Sequence, residues 1–357
     1  PVLQDYALGR DSLERTNTTI IAVNSTDIED IESIHTVLIQ LKSPNGAWSI
    51  DYLSTIWYDS SDSRWETNFT PATTAEVGSY DLRIMVNDTD DGSTSWSVYN
   101  DVIQVVSNPP TLTSYDVVNN NILRTEVSRI IVGVSDIEDD DEDMTITVQH
   151  RFSSGEWSNT YFDQPWYNSS SGKWEANFTP TTTASLGEYD IRARVTDLDQ
   201  GSSSWSLHIE DITVGNNDPV LQSYSLSESS VLRTSTIVIG IDSSDIEDLE
   251  ALHTLAVQLR FSDDGWFDGL LTDIWYDSLD NQWETNFTPT TTATLGDYDI
   301  RIMVNDTNGA STGWSTYSDV VSVTNNNPSL SNYGLSSSSV LRTSTITIGL
   351  NTTDTED

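Results

Sequence analysis

Apolar and polar side chains alternate with a period of two along the most readable stretches of this chain. Tyr80, Leu82, Ile84 and Val86 fall on one side of such a stretch, with Asp81, Arg83 and Met85 on the other. Successive side chains of a strand point to opposite faces, so this pattern predicts a half-buried β-strand. Ile21 and Val23 read the same way, as do Trp65, Thr67 and Phe69 against Glu66 and Asn68, and Ile103 with Val105 marks a last strand. Turn formers separate the runs, for example at Pro44-Asn45-Gly46 and Asp90-Asp91-Gly92. The best helical stretch, Asp27 to Ile34, is too short and too acidic to stand as a helix. About seven short strands in about a hundred residues predict an all-β antiparallel sandwich.

The pattern then recurs. Pro-x-Leu opens at Pro1, Pro110, Pro219 and Pro328, a constant step of 109 residues. Arg15, Arg124, Arg233 and Arg342 keep the same register, and so do all twelve tryptophans, as Trp48/Trp157/Trp266, Trp57/Trp166/Trp275, Trp65/Trp174/Trp283 and Trp96/Trp205/Trp314. A fixed period of this kind means a tandem array. The expected domains are 1–109, 110–218 and 219–327, followed by the start of a truncated fourth copy at 328–357. The fourth copy stops mid-pattern and the first begins at Pro1 without a leader, so the sequence reads as an excerpt of a longer protein.

Composition narrows the partners. Fifteen Lys and Arg face 56 Asp and Glu, a formal charge of −41, which repels phosphate backbones and anionic membrane surfaces. Nucleic acid is therefore not an expected partner. The absence of cysteine removes disulfides, thiolate zinc sites and cysteine nucleophiles together. No apolar run approaches the roughly 20 residues of a membrane span.

One motif carries a resemblance. Phe-Thr-Pro, a small-residue stretch and Gly-x-Tyr-Asp-[Ile/Leu]-Arg-x-x-Val-x-Asp span Phe69 to Asp88, Phe178 to Asp197 and Phe287 to Asp306. This resembles the second half of the immunoglobulin-like, fibronectin-III-like and PKD-like modules found in tandem on archaeal and bacterial surface proteins. The resemblance implies immunoglobulin-like sandwiches strung like beads, an extracellular location at the cell surface, and a structural role. It also matches Tyr80, Tyr189 and Tyr298 to the tyrosine corner of such sandwiches, whose hydroxyl bonds back to the chain.

Acidic loops are the main candidate chemistry. Asp27, Glu29 and Asp30 recur as Asp136, Glu138 and Asp139, then as Asp245, Glu247 and Asp248. A second acidic turn supplies Asp88 and Asp90, then Asp197 and Asp199, then Asp306 and Asn308, and the linkers add Asn108, Asn217 and Asp218. In an immunoglobulin-like sandwich both loops and the incoming linker share one pole. Hard oxygen ligands of this kind suit Ca²⁺, which takes six to eight of them. Unneutralised carboxylates about 4 Å apart repel by about 1 kcal/mol even in water, and a bound Ca²⁺ reverses that sign. The arrangement resembles cadherin-like junctions, with calcium as a structural ion. The competing reading is solvated turns or adaptation to high salt.

Other residues give weaker signals. The sequons at Asn68, Asn177 and Asn286 recur in register as candidate glycosylation sites; further triplets begin at Asn17, Asn24, Asn87, Asn168, Asn305 and Asn351. Trp65 and at least one of Trp57 and Trp96 are expected in the core, while Trp48, Trp157 and Trp266, beside turns and among Gly and acidic residues, are candidate exposed platforms for stacking on sugars. The histidines His35, His150, His208 and His253 form no repeated catalytic set, so no enzyme is expected. The functional expectation is a stalk, adhesin shaft, surface-layer or filament component stiffened by calcium. A multivalent array binding glycans or a partner is the alternative, and assembly with other copies of the chain is a third possibility.

Overall fold

The computed structural model describes residues 1–356. Among them the regular structure is β, apart from two 3-10 turns at Glu32–Ile34 and Glu250–Leu252. The first copy forms β1 (Val2–Leu8), β2 (Ser12–Glu14), β3 (Thr19–Thr26), β4 (Thr36–Lys42), β5 (Trp57–Asp59), β6 (Arg64–Phe69), β7 (Gly78–Asn87) and β8 (Ser97–Val106). These make two four-stranded sheets, β1-β3-β6-β5 and β2-β8-β7-β4. Pairing is antiparallel, except that short β2 lies parallel to β8 with Leu13 opposite Val105. In immunoglobulin lettering the sheets are A-B-E-D and A′-G-F-C, the constant-type arrangement with a short A′ added. The second and third copies repeat both sheet orders, and Ser329–Leu335 pairs with Ile348–Thr353 at the start of the fourth. Tandem immunoglobulin-like β-sandwiches are thus the architecture.

The chain divides into two compact units. One comprises Pro1–Ile122, Glu126–Pro180 and Gly187–Thr213, and the other Leu123–Thr125, Thr181–Leu186 and Val214–Asp357. The step from copy one to copy two lies wholly inside the first unit. The short pieces of copy two around Arg124 and Ala184 belong with copy three in the second.

Each core follows from the period-2 pattern. On β7 the side chains of Tyr80, Leu82, Ile84 and Val86 are buried while the intervening residues are half-exposed. Phe69, Phe178 and Phe287 are fully buried at the end of the sixth strand of each copy. The recurring Gly-x-Tyr has a backbone reason: Gly78, Gly187 and Gly296 have φ of 134°, 121° and 124°, where a side chain is strained. Two residues on, the Tyr80 hydroxyl donates to the Glu76 carbonyl at 2.9 Å and that of Tyr298 to Thr294 at 3.0 Å. Burial pushes the Tyr80 phenol up to about 12, so it remains a donor at all ordinary pH.

Two buried positions differ between copies in a concerted way. In copy one the Ser25 hydroxyl and His35 Nδ1 lie 2.8 Å apart in the core, and copy three repeats this with Ser243 and His253. Copy two carries Val134 and Met144 at the same places, both buried. A buried hydroxyl without a partner costs about 1–3 kcal/mol, so either single replacement leaves an orphan that the pair avoids. His35→Met and Ser25→Val are therefore expected to destabilise separately, and the double variant by less than their sum, with a coupling of about 1–2 kcal/mol. Denaturation midpoints of the four proteins measure it; strict additivity would refute the pairing.

Candidate functional site

The acidic loops are built first as turns. Asp136 Oδ1 accepts the Glu138 and Asp139 amides at 2.7 and 3.2 Å, and Asp245 Oδ1 does the same for Glu247 and Asp248 at 2.6 and 3.1 Å. Asp88, Asp197 and Asp306 fold the second loop, each taking the amide four residues on at 2.7–2.9 Å. The two loops are joined by Asp30, Asp139 and Asp248, which accept from the amides of Thr89, Leu198 and Thr307. The Thr307 hydroxyl is the main reason that Asp248 is held below the usual carboxylate range. In copy one the Glu29 amide is the main reason that Asp27 is held below the usual carboxylate range.

The linkers then arrive on this pole. Asn108 Nδ2 donates to Glu138 Oε1 at 2.7 Å and to the Arg15 carbonyl at 3.0 Å, so one amide spans the end of copy one and the loop of copy two. Asn217 repeats both bonds with Glu247 and Arg124, at 2.7 and 3.0 Å. Asn326 repeats them with Glu356 and Arg233, at 2.7 and 2.8 Å. The backbone amides of the three asparagines also donate to the same glutamates. Asn108 and Asn217 therefore act as donors to carboxylate, whereas a cation ligand would present its oxygen.

Around the first junction the Glu138 side chain is 1% exposed and Arg15 Nη1 approaches it at 3.4 Å, while Arg15 also pairs with Asp199 at 2.7 Å. Burial pushes the Asp197 carboxyl up, and the neighbouring Asp136 and Asp139 add to this. Around the second junction burial pushes Glu247 up as well, with Asp245 within hydrogen-bonding reach contributing. Four shielded oxygens here lack hydrogen-bond partners: Oδ2 of Asp136 and Asp245, and Oε2 of Glu247 and Glu356. Glu29, Asp90, Asp218 and Asn308, also candidates from the sequence, lie exposed.

The sequon asparagines Asn68, Asn177 and Asn286 are half-buried on the sixth strand of their copies. Asn177 Nδ2 already donates to the Asp163 carboxylate at 2.9 Å.

The tryptophans depart from expectation. Arg83 lies 4.7 Å from the ring of Trp48 and 4.3 Å from that of Trp96. Arg192 sits 4.3 and 4.1 Å from Trp157 and Trp205, and Arg301 4.7 and 4.2 Å from Trp266 and Trp314. Trp48, Trp157 and Trp266 are thus half-buried with guanidinium against the ring, an attraction of about 0.5–2 kcal/mol per contact. Trp96 belongs to the same stack outside the core, and Trp57 is 36% exposed. Trp65 packs on the core from its rim, its indole N–H donating to the Glu32 carbonyl at 3.0 Å.

A further acid group escaped the sequence reading. Asp59, Asp62 and Glu66 bring carboxylate oxygens together at the β5–β6 turn, as do Asp277, Asp280 and Glu284 in copy three. Arg64 pairs with Asp62 and Glu66 at 3.0 and 2.8 Å. The recurring spacing of three and then four residues across a hairpin was the available clue.

No protein-family model and no curated protein matches this sequence. Among solved structures, a marsupial T cell receptor aligns at 8% identity and TM-score 0.29, covering 88% of this chain and 99% of that one. The Escherichia coli adhesin FdeC aligns at 10% identity and TM-score 0.28, covering 90% and 99%. Fibronectin(III)-like modules of Clostridium thermocellum CbhA align at 14% identity and TM-score 0.23, covering 58% and 88%.

Proposed function

We propose that this chain is a structural segment of an extracellular surface protein, a stalk, adhesin shaft, surface-layer or filament component. Its domains are 1–109, 110–218, 219–327 and the beginning of another at 328–357, joined in series and stiffened at their junctions by Ca²⁺. The observation that carries this reading is the asparagine link, repeated with the same partners at Asn108, Asn217 and Asn326. A recognition module needs no such repeated bond between successive copies, whereas a load-bearing series does.

The donor set fits a hard cation. Asp245, Glu247, Asp248 and Asp306 around the second junction would hold it, and the partnerless Oδ2 of Asp245 and Oε2 of Glu247 favour this. Bound there, the ion would neutralise carboxylates that otherwise repel and fix the loops against the linker. Extracellular calcium sites fill at about 10⁻⁴–10⁻³ M. Calorimetric titration of the full chain with Ca²⁺, with melting curves in Ca²⁺ and in chelator, is the test. Binding in that range with a raised melting temperature is expected; no heat at millimolar Ca²⁺ and an unchanged melt ends the calcium component.

The alternative is a multivalent array for glycans or a partner. It draws on Trp57 and Trp275, which are 36% and 37% exposed in corresponding edge strands. Measurable sugar affinity lost in Trp275→Ala would favour it. Glycans on Asn68 and Asn286, and on Asn177 if its bond to Asp163 opens, would belong to either reading, and intact mass of native material reports them.

A further inference from the structure

The two junctions use the same arginine differently. Arg15 and Arg124 are both fixed by Nε on a turn carbonyl, that of Ala75 at 2.7 Å and that of Ala184 at 2.8 Å. From there Arg15 Nη1 reaches two carboxylates, Asp199 at 2.7 Å and Glu138 at 3.4 Å. Arg124 Nη1 reaches an amide instead, Asn216 Oδ1 at 3.3 Å. Two replacements separate the cases: Ser107 becomes Asn216, and Asp199 becomes Asn308.

The glutamates respond accordingly. Glu138 Oε2 is engaged by the Ser107 hydroxyl at 2.7 Å and by the Asn108 amide at 3.1 Å, beside the guanidinium. Glu247 Oε2 has no partner, and neither has Asp245 Oδ2. Both oxygens are shielded from solvent, and their carboxyl groups lie within hydrogen-bonding reach of each other. Asparagine at 216 supplies no hydroxyl to Glu247 and draws the guanidinium to itself.

We infer that the first junction carries its own cation, the Arg15 guanidinium, and that the external divalent cation is taken at the second junction, between Asp245 Oδ2 and Glu247 Oε2. This rests on the calcium reading above and specifies where it applies. Two shielded carboxylate oxygens without donors, on neighbouring carboxyl groups, suit a hard cation, with water completing the shell. At the first junction an entering Ca²⁺ would meet the fixed positive charge of Arg15 and only one partnerless oxygen, Asp136 Oδ2.

Calorimetric titration of the full chain with Ca²⁺ in chelator-stripped buffer tests this with three variants. Glu247→Gln keeps the acceptor that Asn217 uses and is expected to remove one bound equivalent, or to weaken it at least tenfold, whatever the Asp354–Glu356 pair holds. Glu138→Gln should leave Ca²⁺ uptake unchanged, and Arg15→Gln should add an equivalent. Asp245→Asn, with circular dichroism as a folding control, repeats the first arm should Glu247→Gln fold poorly. If the unaltered chain takes up Ca²⁺ but Glu247→Gln and Asp245→Asn bind as it does, or Glu138→Gln loses an equivalent, the assignment is wrong while the calcium reading stands. If the unaltered chain takes up none, both fall.

Discussion

Glu138→Ala is expected to destabilise the first junction by about 3–5 kcal/mol, the range for removing one partner of a buried ion pair. The Glu138 carboxylate is shielded from water and accepts from the Ser107 hydroxyl and from both the backbone and side-chain amides of Asn108. Its loss leaves those donors and the Arg15 guanidinium facing a void. The direct readout is hydrogen exchange at the Asn108 amide, which should accelerate by about 10²–10³. Glu29→Ala, at the same position of copy one but exposed, should change stability by less than about 0.5 kcal/mol. Equal effects of the two variants would show that the junction bonds contribute nothing beyond their turns.

Copy two should also lose stability on mild acidification. His150 occupies the place of Leu41 and Leu259, 5% exposed and stacked on Tyr161 at 4.4 Å between ring centres, with Phe178 and Tyr189 at 5.5 and 5.8 Å. Its Nε2 faces the Tyr161 amide at 3.3 Å and its Nδ1 has no partner, so the neutral ring is the one that fits. Burial pushes it from 6.5 down to about 4. Between those values the unfolded chain binds a proton that the folded chain refuses. The associated stability is therefore complete above about pH 6.5 and is lost as pH falls toward 4, a total on the order of 3 kcal/mol. Denaturation of the unaltered chain and of His150→Leu at pH 7 and pH 4.5 separates this from the many carboxylates common to both. Parallel pH dependences would contradict it.

Some of the candidate site was legible in advance. The recurrence of Asp27, Asp136 and Asp245 at a constant step, with Asp88, Asp197 and Asp306 following the longest period-2 strand, placed both loops at one pole once a sandwich was inferred. The bonds from Thr89 and Thr307 to Asp30 and Asp248 join those loops as that inference requires. Which oxygens face a neighbour was not legible. The same triplet gives a saturated carboxylate at Glu138 and a partnerless oxygen at Glu247, because residues 30 and more positions away differ between copies.

The tryptophans show the same limit from the other side. Alternation put Trp65 on the inward side of its strand, where it packs on the core rim. Trp48 and Trp96 carry no such periodic cue, and their common partner, Arg83, comes from β7, a strand assigned only as having a polar outer face.

The sequence alone determined that the chain is a train of antiparallel sandwiches with a fixed step, and that its acids collect where one copy meets the next. Period-2 alternation and exact recurrence are local properties, and they settle which side of a strand each residue leaves. The tertiary structure decided that an arginine pairs with carboxylates at one junction and with an amide at the other, that guanidinium lies over the tryptophans, and that His150 is sealed among aromatic rings. Those outcomes depend on partners brought together across strands and across linkers, where distance in space bears no relation to distance along the chain.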